Sequence, residues 1–209
     1  MIENLIVDNS SLVFILESPF DTEVKKGYPL AGSSGKEIAR HLLGIEKTSM
    51  GEICFNRTFN LYNLSPFSIL NISKFPLEEK AYDSQPLPHN IAILKDLKFK
   101  IDKQPKRSGA SNAEHWTVPK DITLKKLKVE LLNELIENLI KLLTINKNIQ
   151  IVPCGKFVSV FVRRALEKIS SISKGNVHFG FTHPARNQWT RLPVSKLEKL
   201  RELIVITAE

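Results

Sequence analysis

Sulfur is scarce in this chain, and the shortage closes off several classes of protein. Its 209 residues include two cysteines, Cys54 and Cys154, too few for a disulfide framework and in keeping with a reduced, cytoplasmic setting. With His41, His89, His115, His178 and His183 they show no zinc spacing such as C-x-x-C, so no metal and no cofactor is expected. No apolar run approaches the roughly 20 residues that span a bilayer. The start, MIENLIVDN, carries acids where a secretory signal has a cationic region. Internal repeats and low-complexity tracts are missing as well. The composition, 42% hydrophobic and 25% charged, is that of a soluble globular domain. Acids are outnumbered: 22 against 30 Lys and Arg leave a formal charge of +8. A basic surface of this kind favours a polyanionic partner, DNA or RNA.

Apolar patterning suggests an α/β fold. Leu12–Leu16 (LVFIL) is short and continuously apolar, the mark of a strand buried on both faces. A helical period runs from Ser34 or Gly35 to Leu43 and stops at Gly44. Phe59–Leu64 (FNLYNL) alternates and ends at Ser65-Pro66, which reads as a second strand. Leucines at 124, 127, 131, 135, 139 and 142 form the stripe of a long amphipathic helix. Ile149–Pro153 reads as a third strand, Val158–Leu166 as a helix, Val177–Phe181 as a fourth strand and Val194–Ile204 as a last helix. Strands alternating with helices predict a central, mainly parallel four-stranded sheet flanked by helices. One domain over 1–209 is expected, acting as a monomer. It carries an extended basic insertion at about 67–121, where periodicity is weak. In that insertion Lys98, Lys100, Lys103, Lys106 and Arg107 are candidates to grip phosphates.

In open parallel sheets, ligands bind beyond the carboxyl ends of the strands. The residues there read ESPF, NLSPF, CGKF and THPAR. Glu17 opens a long loop, LESPFDTEVKKGYPLAGSSG, before the next helix starts. It is either a turn-capping carboxylate or an acid held in a cleft, where it would stabilise a cation or orient water. Ser33 and Ser34 open the helix, where free backbone N–H groups suit a phosphate. This is no nucleotide P-loop, because Leu30 stands where the first Gly belongs and Lys36 is followed by Glu37. Asn60 and Asn63 either satisfy a turn or present donor and acceptor to a base edge. His183 precedes Pro184 at a strand end, and Arg186, Trp189 and Arg191 follow as a basic, aromatic cluster.

Together these segments resemble the uracil-DNA glycosylase superfamily, most closely the type called family four. Its first motif runs Gly-Glu-Ala-Pro-Gly, a spacer with Glu, then Gly-x-Pro-Phe-Val-Gly-x-Ala-Gly. Glu17, Pro19, Glu23, Gly27, Pro29, Gly32 and Gly35 fall on matching places without a gap. NLYNLSP is similar to the second motif through Asn60 and Pro66, IVPCGKFVS to the strand-turn-helix before the last motif, and THPAR to the final His-Pro motif. The resemblance implies a three-layer sandwich and hydrolysis of the N-glycosidic bond of a flipped-out base in DNA. Glu17 would assist water attack or stabilise the sugar cation, and His183 would hydrogen-bond the base oxygen. Ser18, Phe20, Leu30 and Asn60 would surround the base. Ser33, Ser34, Lys36, Ser65, Lys156, Arg186, Asn187 and Arg191 would contact the DNA.

The sequence also departs from that pattern. Leu64 replaces the motif's cysteine, and two cysteines cannot hold an iron–sulfur cluster. Leu30 replaces the Phe that stacks on the base, with Phe20 or Tyr28 as substitutes, and Phe20 replaces a Gly. A rebuilt pocket favouring a damaged or modified base over plain uracil is expected. The competing expectations are an inactive DNA-binding relative, an RNA-binding module, and a phosphohydrolase or nuclease with a divalent ion at Glu17, Asp21 and Glu23.

Overall fold

A computed structural model of the chain describes residues 1–82, 87–88, 90–103 and 119–206. Three strands form its sheet: β1 (Leu12–Leu16), β2 (Phe67–Asn71) and β3 (Gln150–Pro153), in the order β2-β1-β3 and all parallel. Leu12 pairs with Phe67 and Gln150, and Leu16 with Asn71, so the strands finish at one edge. Every residue of β1 and β2 is buried, because helices cover both faces.

Alternate side chains feed two cores. Val13, Ile15, Leu70 and Ile151 face α4 (Ile91–Asp102), α5 (Ile122–Ile145) and α6 (Lys156–Leu166). Leu12, Phe14, Ile69 and Val152 face α2 (Ser33–Leu43), α3 (Met50–Phe55) and α7 (Val194–Ile204). The long α5 buries the leucine stripe read from the sequence, and Asp121 caps it by accepting from the Leu124 N–H at 2.9 Å. A one-and-a-half-turn helix, α1 (Asp21–Lys26), interrupts the loop after β1.

Three expectations need correction. Phe59–Leu64 is not a strand. Phe59–Tyr62 forms a 3-10 turn, closed by Asn63 at φ 52°, and Leu64 bridges Val205 in antiparallel fashion. The strand is the next segment, FSILN, whose unbroken apolar run suits a sheet covered on both faces better than an alternating one. Second, the region 67–121 is no plain insertion. It starts with β2, and its basic run includes α4, whose Ile91, Leu94, Leu97 and Ile101 are buried. Third, the fourth strand is reduced to two single parallel bridges, Ile151 with Val177 and Cys154 with Phe181. Among the described residues no helix is long and apolar enough to cross a membrane.

Candidate active site

The loop after β1 is held by one carboxylate and two glycines. Glu23, in the first turn of α1, is buried and accepts the backbone N–H groups of Phe20 and Leu30, tying both ends of the loop together. Burial pushes its carboxyl up to about 7, against the pull of those two donors. Gly27 ends α1 at φ 83°, a conformation that suits glycine. Leu30 itself sits at φ 54°, a strained region for a branched side chain. Its carbonyl accepts from the Gly51 N–H at 3.1 Å. A Cβ on Gly35 would fall 1.8 Å from the Leu30 oxygen, and one on Gly51 2.1 Å from the Pro29 oxygen. The loop backbone thus lies directly on α2 and α3, which explains why glycine begins each contact.

The opposite wall comes from the exit of β3. Gly155, at φ 104°, donates to the Phe181 carbonyl at 2.8 Å and leaves room for His183, whose Cβ a side chain there would meet at 3.5 Å. His183 Nδ1 accepts from the Ala185 N–H at 3.2 Å, so the ring proton resides on Nε2. Burial depresses the imidazole to about 4, with the Lys98 charge adding to the effect and Asp102 opposing it. At neutral pH the ring is uncharged. Glu37 of α2 anchors the following segment by accepting the N–H groups of Asn187 at 2.8 Å and Trp189 at 2.7 Å.

Between these walls lies a cavity of about 780 Å³ at the carboxyl edge of the sheet, within the size range of ligand sites. Glu17 and His183 both line it, with Ser18, Phe20, Leu30, Ser33, Ser34, Lys36 and Arg186. Phe20 is 44% exposed, and the Lys80 ammonium stands 4.6 Å from its ring centroid. Tyr28 is instead buried and stacked on Phe55, which leaves Phe20 as the aromatic of the cavity. Leu30 is 1% exposed, part of the wall and already in the core. An adjoining groove of about 510 Å³ shares Glu17, Leu77 and Glu78 with the cavity. Glu17 is largely buried, which raises its carboxyl, while the Lys98 ammonium 3.2 Å away opposes that rise.

Five sequence candidates lie outside the cavity lining. Asn60 and Ser65 precede β2, and Ser65 is bonded to the end of α7, at the opposite edge of the sheet. They were placed at a strand exit only because FNLYNL was read as the strand. Lys156 donates to the Asp102 carbonyl at 2.9 Å, and Arg191 closes the turn 188–191. Asn187 is structural: its side-chain oxygen accepts from Arg40 at 2.6 Å. The basic run is also engaged elsewhere. Lys98 pairs with Glu17 and Asp102, Lys100 with Asp96, and Lys103 lies over Phe99, while Lys106 and Arg107 fall outside the described residues.

One residue at this edge escaped the sequence reading, and another has a different partner from the one expected. Lys98, read as a lysine that grips phosphate, pairs with Glu17 from a helix hidden within a basic tract. Asn71 ends β2 beside Leu16, and its backbone N–H donates to Asn4 at 2.8 Å. Its side-chain nitrogen is buried without a partner among the described residues. The apolar run FSILN, ending in an amide, was the available signal. Asp21 pairs with Lys25 at 3.1 Å and Glu23 binds backbone, so neither joins Glu17 in a donor set. Among the described residues no three His, Cys, Asp or Glu side chains gather as metal ligands would. No family model matches this chain, and no curated protein matches it either.

Proposed function

We propose that the protein is a DNA glycosylase, a cytoplasmic monomer on the three-layer plan of the uracil-DNA glycosylases, with the bridged segment 177–181 in the place of a fourth strand. It hydrolyses the N-glycosidic bond of a uracil-like, damaged or modified base turned out of DNA. The observation that carries this reading is the meeting of Glu17 and an uncharged His183 in one cavity at the carboxyl edge of the sheet.

The chemistry follows from their protonation. As the bond between C1′ and the base nitrogen breaks, its electron pair passes to the base and positive charge develops on the sugar. The Nε2–H of His183 donates to the base oxygen that gains negative charge; a neutral donor suffices, as in other preorganised oxyanion sites. The Glu17 carboxylate stabilises the sugar cation, orients the water that adds to C1′ and accepts its proton, which passes through solvent to the departing base anion. Free base and an abasic sugar result. Phe20 offers a face for stacking, and Arg186, Lys36, Ser33 and Ser34 surround the mouth with phosphate-binding groups.

The test is to incubate the protein with single- and double-stranded DNAs carrying uracil, oxidised or alkylated bases, and C5-substituted pyrimidines. Released bases and abasic sites are scored by mass spectrometry. Release of at least one base, strongest for a modified one and lost in Glu17→Gln, is the expected result. No release from any of these DNAs overturns the proposal.

A further inference from the structure

The strongest feature outside the reacting pair is the ammonium of Lys98. It stands 3.2 Å from Glu17 Oε2 and also bonds the Asp102 carboxylate one helical turn further along α4. Glu17 thus has a cationic partner supplied by a helix whose other lysines point elsewhere. Lys100 pairs with Asp96 at 2.7 Å, and Lys95 with Glu79 at 2.6 Å.

We propose that Lys98 is a positioning residue: its ammonium, held between Glu17 and Asp102, keeps the Glu17 carboxylate charged and the His183 imidazole neutral, the pair of states that glycosidic hydrolysis requires. The inference rests on the function proposed above. One cation opposes both unwanted protonations, because a positive charge disfavours adding a proton to the carboxylate and to the imidazole alike. Burial works against this at Glu17, where it favours the neutral acid, and works with it at His183. Lys98 is therefore needed for the acid more than for the histidine.

The remaining charged groups do not substitute for it. Glu78, Lys95 and Lys103 line the groove beside Glu17, and Glu23, Lys26, Lys36, Lys80 and Arg186 line the cavity. Among the described residues, besides burial, only Lys98 and Asp102 bear appreciably on the Glu17 carboxyl, and Asp102 pushes it the wrong way. Asp102 serves instead to hold Lys98. Burial lowers the Lys98 ammonium, but Glu17 and Asp102 outweigh burial and hold it above the ordinary lysine value. It therefore stays protonated and is no nucleophile toward the abasic aldehyde.

Two measurements test the proposal together. The first follows the Glu17 carboxyl by carbon NMR during a pH titration of the free protein, with Glu17→Gln as the assignment control. The second records single-turnover base release against pH. In Lys98→Met the Glu17 titration should move to higher pH, and the acid limb of the rate should follow. Activity at pH 6 should drop roughly tenfold and return toward that of the wild type in alkaline buffer. Lys98→Arg should restore both curves, which a merely structural lysine would not require. An unmoved Glu17 titration in Lys98→Met overturns the inference, as does a moved titration with an unchanged acid limb. A wild type that releases no base fells the proposed function alone, and the carboxyl titration still decides whether Lys98 holds the charge.

Discussion

Glu17 and Glu23 belong to one loop, the first half-buried and the second buried, and they are satisfied by opposite means. Glu23 faces inward and spends both oxygens on the backbone of Phe20 and Leu30. Glu17 faces the cavity and holds a single side chain, Lys98, contributed by a distant helix. Backbone partners make a carboxylate part of the scaffold, because its loss leaves donors unsatisfied. A side-chain partner leaves the carboxylate free to respond to a ligand. The same loop thus contains a fastener at one end and a carboxylate turned toward the cavity at the other, and only position relative to the sheet edge separates them.

The largest expected effect comes from the cavity end. Glu17→Gln should reduce single-turnover base release by about 10²–10⁴-fold while DNA affinity, followed by fluorescence anisotropy, changes little. Its melting temperature should stay close to that of the wild type. Equal loss of binding and turnover would erase the distinction between the two acids. Next in size is the scaffold side. Gly35→Ala drives a Cβ to 1.8 Å from the Leu30 carbonyl, a backbone clash with no flexible side chain to yield. It should cost more than about 3 kcal/mol of unfolding free energy, read from urea denaturation.

Glu23→Gln tests the fastener through pH. Its folded carboxyl lies near 7, above the usual value near 4.5. The folded state therefore takes up a proton, so this group's stabilisation is fully present below pH 4.5 and is lost as pH rises through 7. His183 runs the other way, because its depressed value costs stability as pH falls from about 6.5 toward 4. The whole-protein curve blends the two, and the difference between wild type and variant isolates Glu23. At pH 5 the variant should be less stable by about 1–3 kcal/mol, having lost one buried acceptor. By pH 8 the gap should move in the variant's favour by on the order of 3 kcal/mol. The smallest effect is Phe20→Leu, which removes the exposed aromatic of the cavity. It should weaken binding of an extruded base by about 1–3 kcal/mol and leave stability almost unchanged. Leu30→Phe is the less informative exchange, since Leu30 is sealed in the core and a larger side chain there overpacks it.

The meeting of Glu17 and His183 in one cavity was legible because Glu17 directly follows the buried β1 and His183 comes just after Phe181, which bridges Cys154 at the end of β3. The amphipathic helices α2, α5, α6 and α7 were legible from their periods. Asn60 was misplaced because FNLYNL alternates as a half-exposed strand does, whereas this sheet is covered on both faces and selects the unbroken FSILN. Lys98 was legible only as one lysine among many: the charges of α4 drew attention from Ile91, Leu94, Leu97 and Ile101, which set its period. A residue's partner across the fold is a tertiary fact, and local pattern does not encode it.

The central strand is synthesised first, yet both of its neighbours come later, β3 more than half the chain away. A ribosome that has just passed β1 has made Glu17 but neither the lysine that pairs with it nor the histidine that shares its cavity. Long-range parallel pairing is slow to close, so the sheet edge assembles only when the chain is almost finished. Truncated products of interrupted translation consequently contain the acid without the cavity, since every fragment that ends before His183 lacks one of its walls.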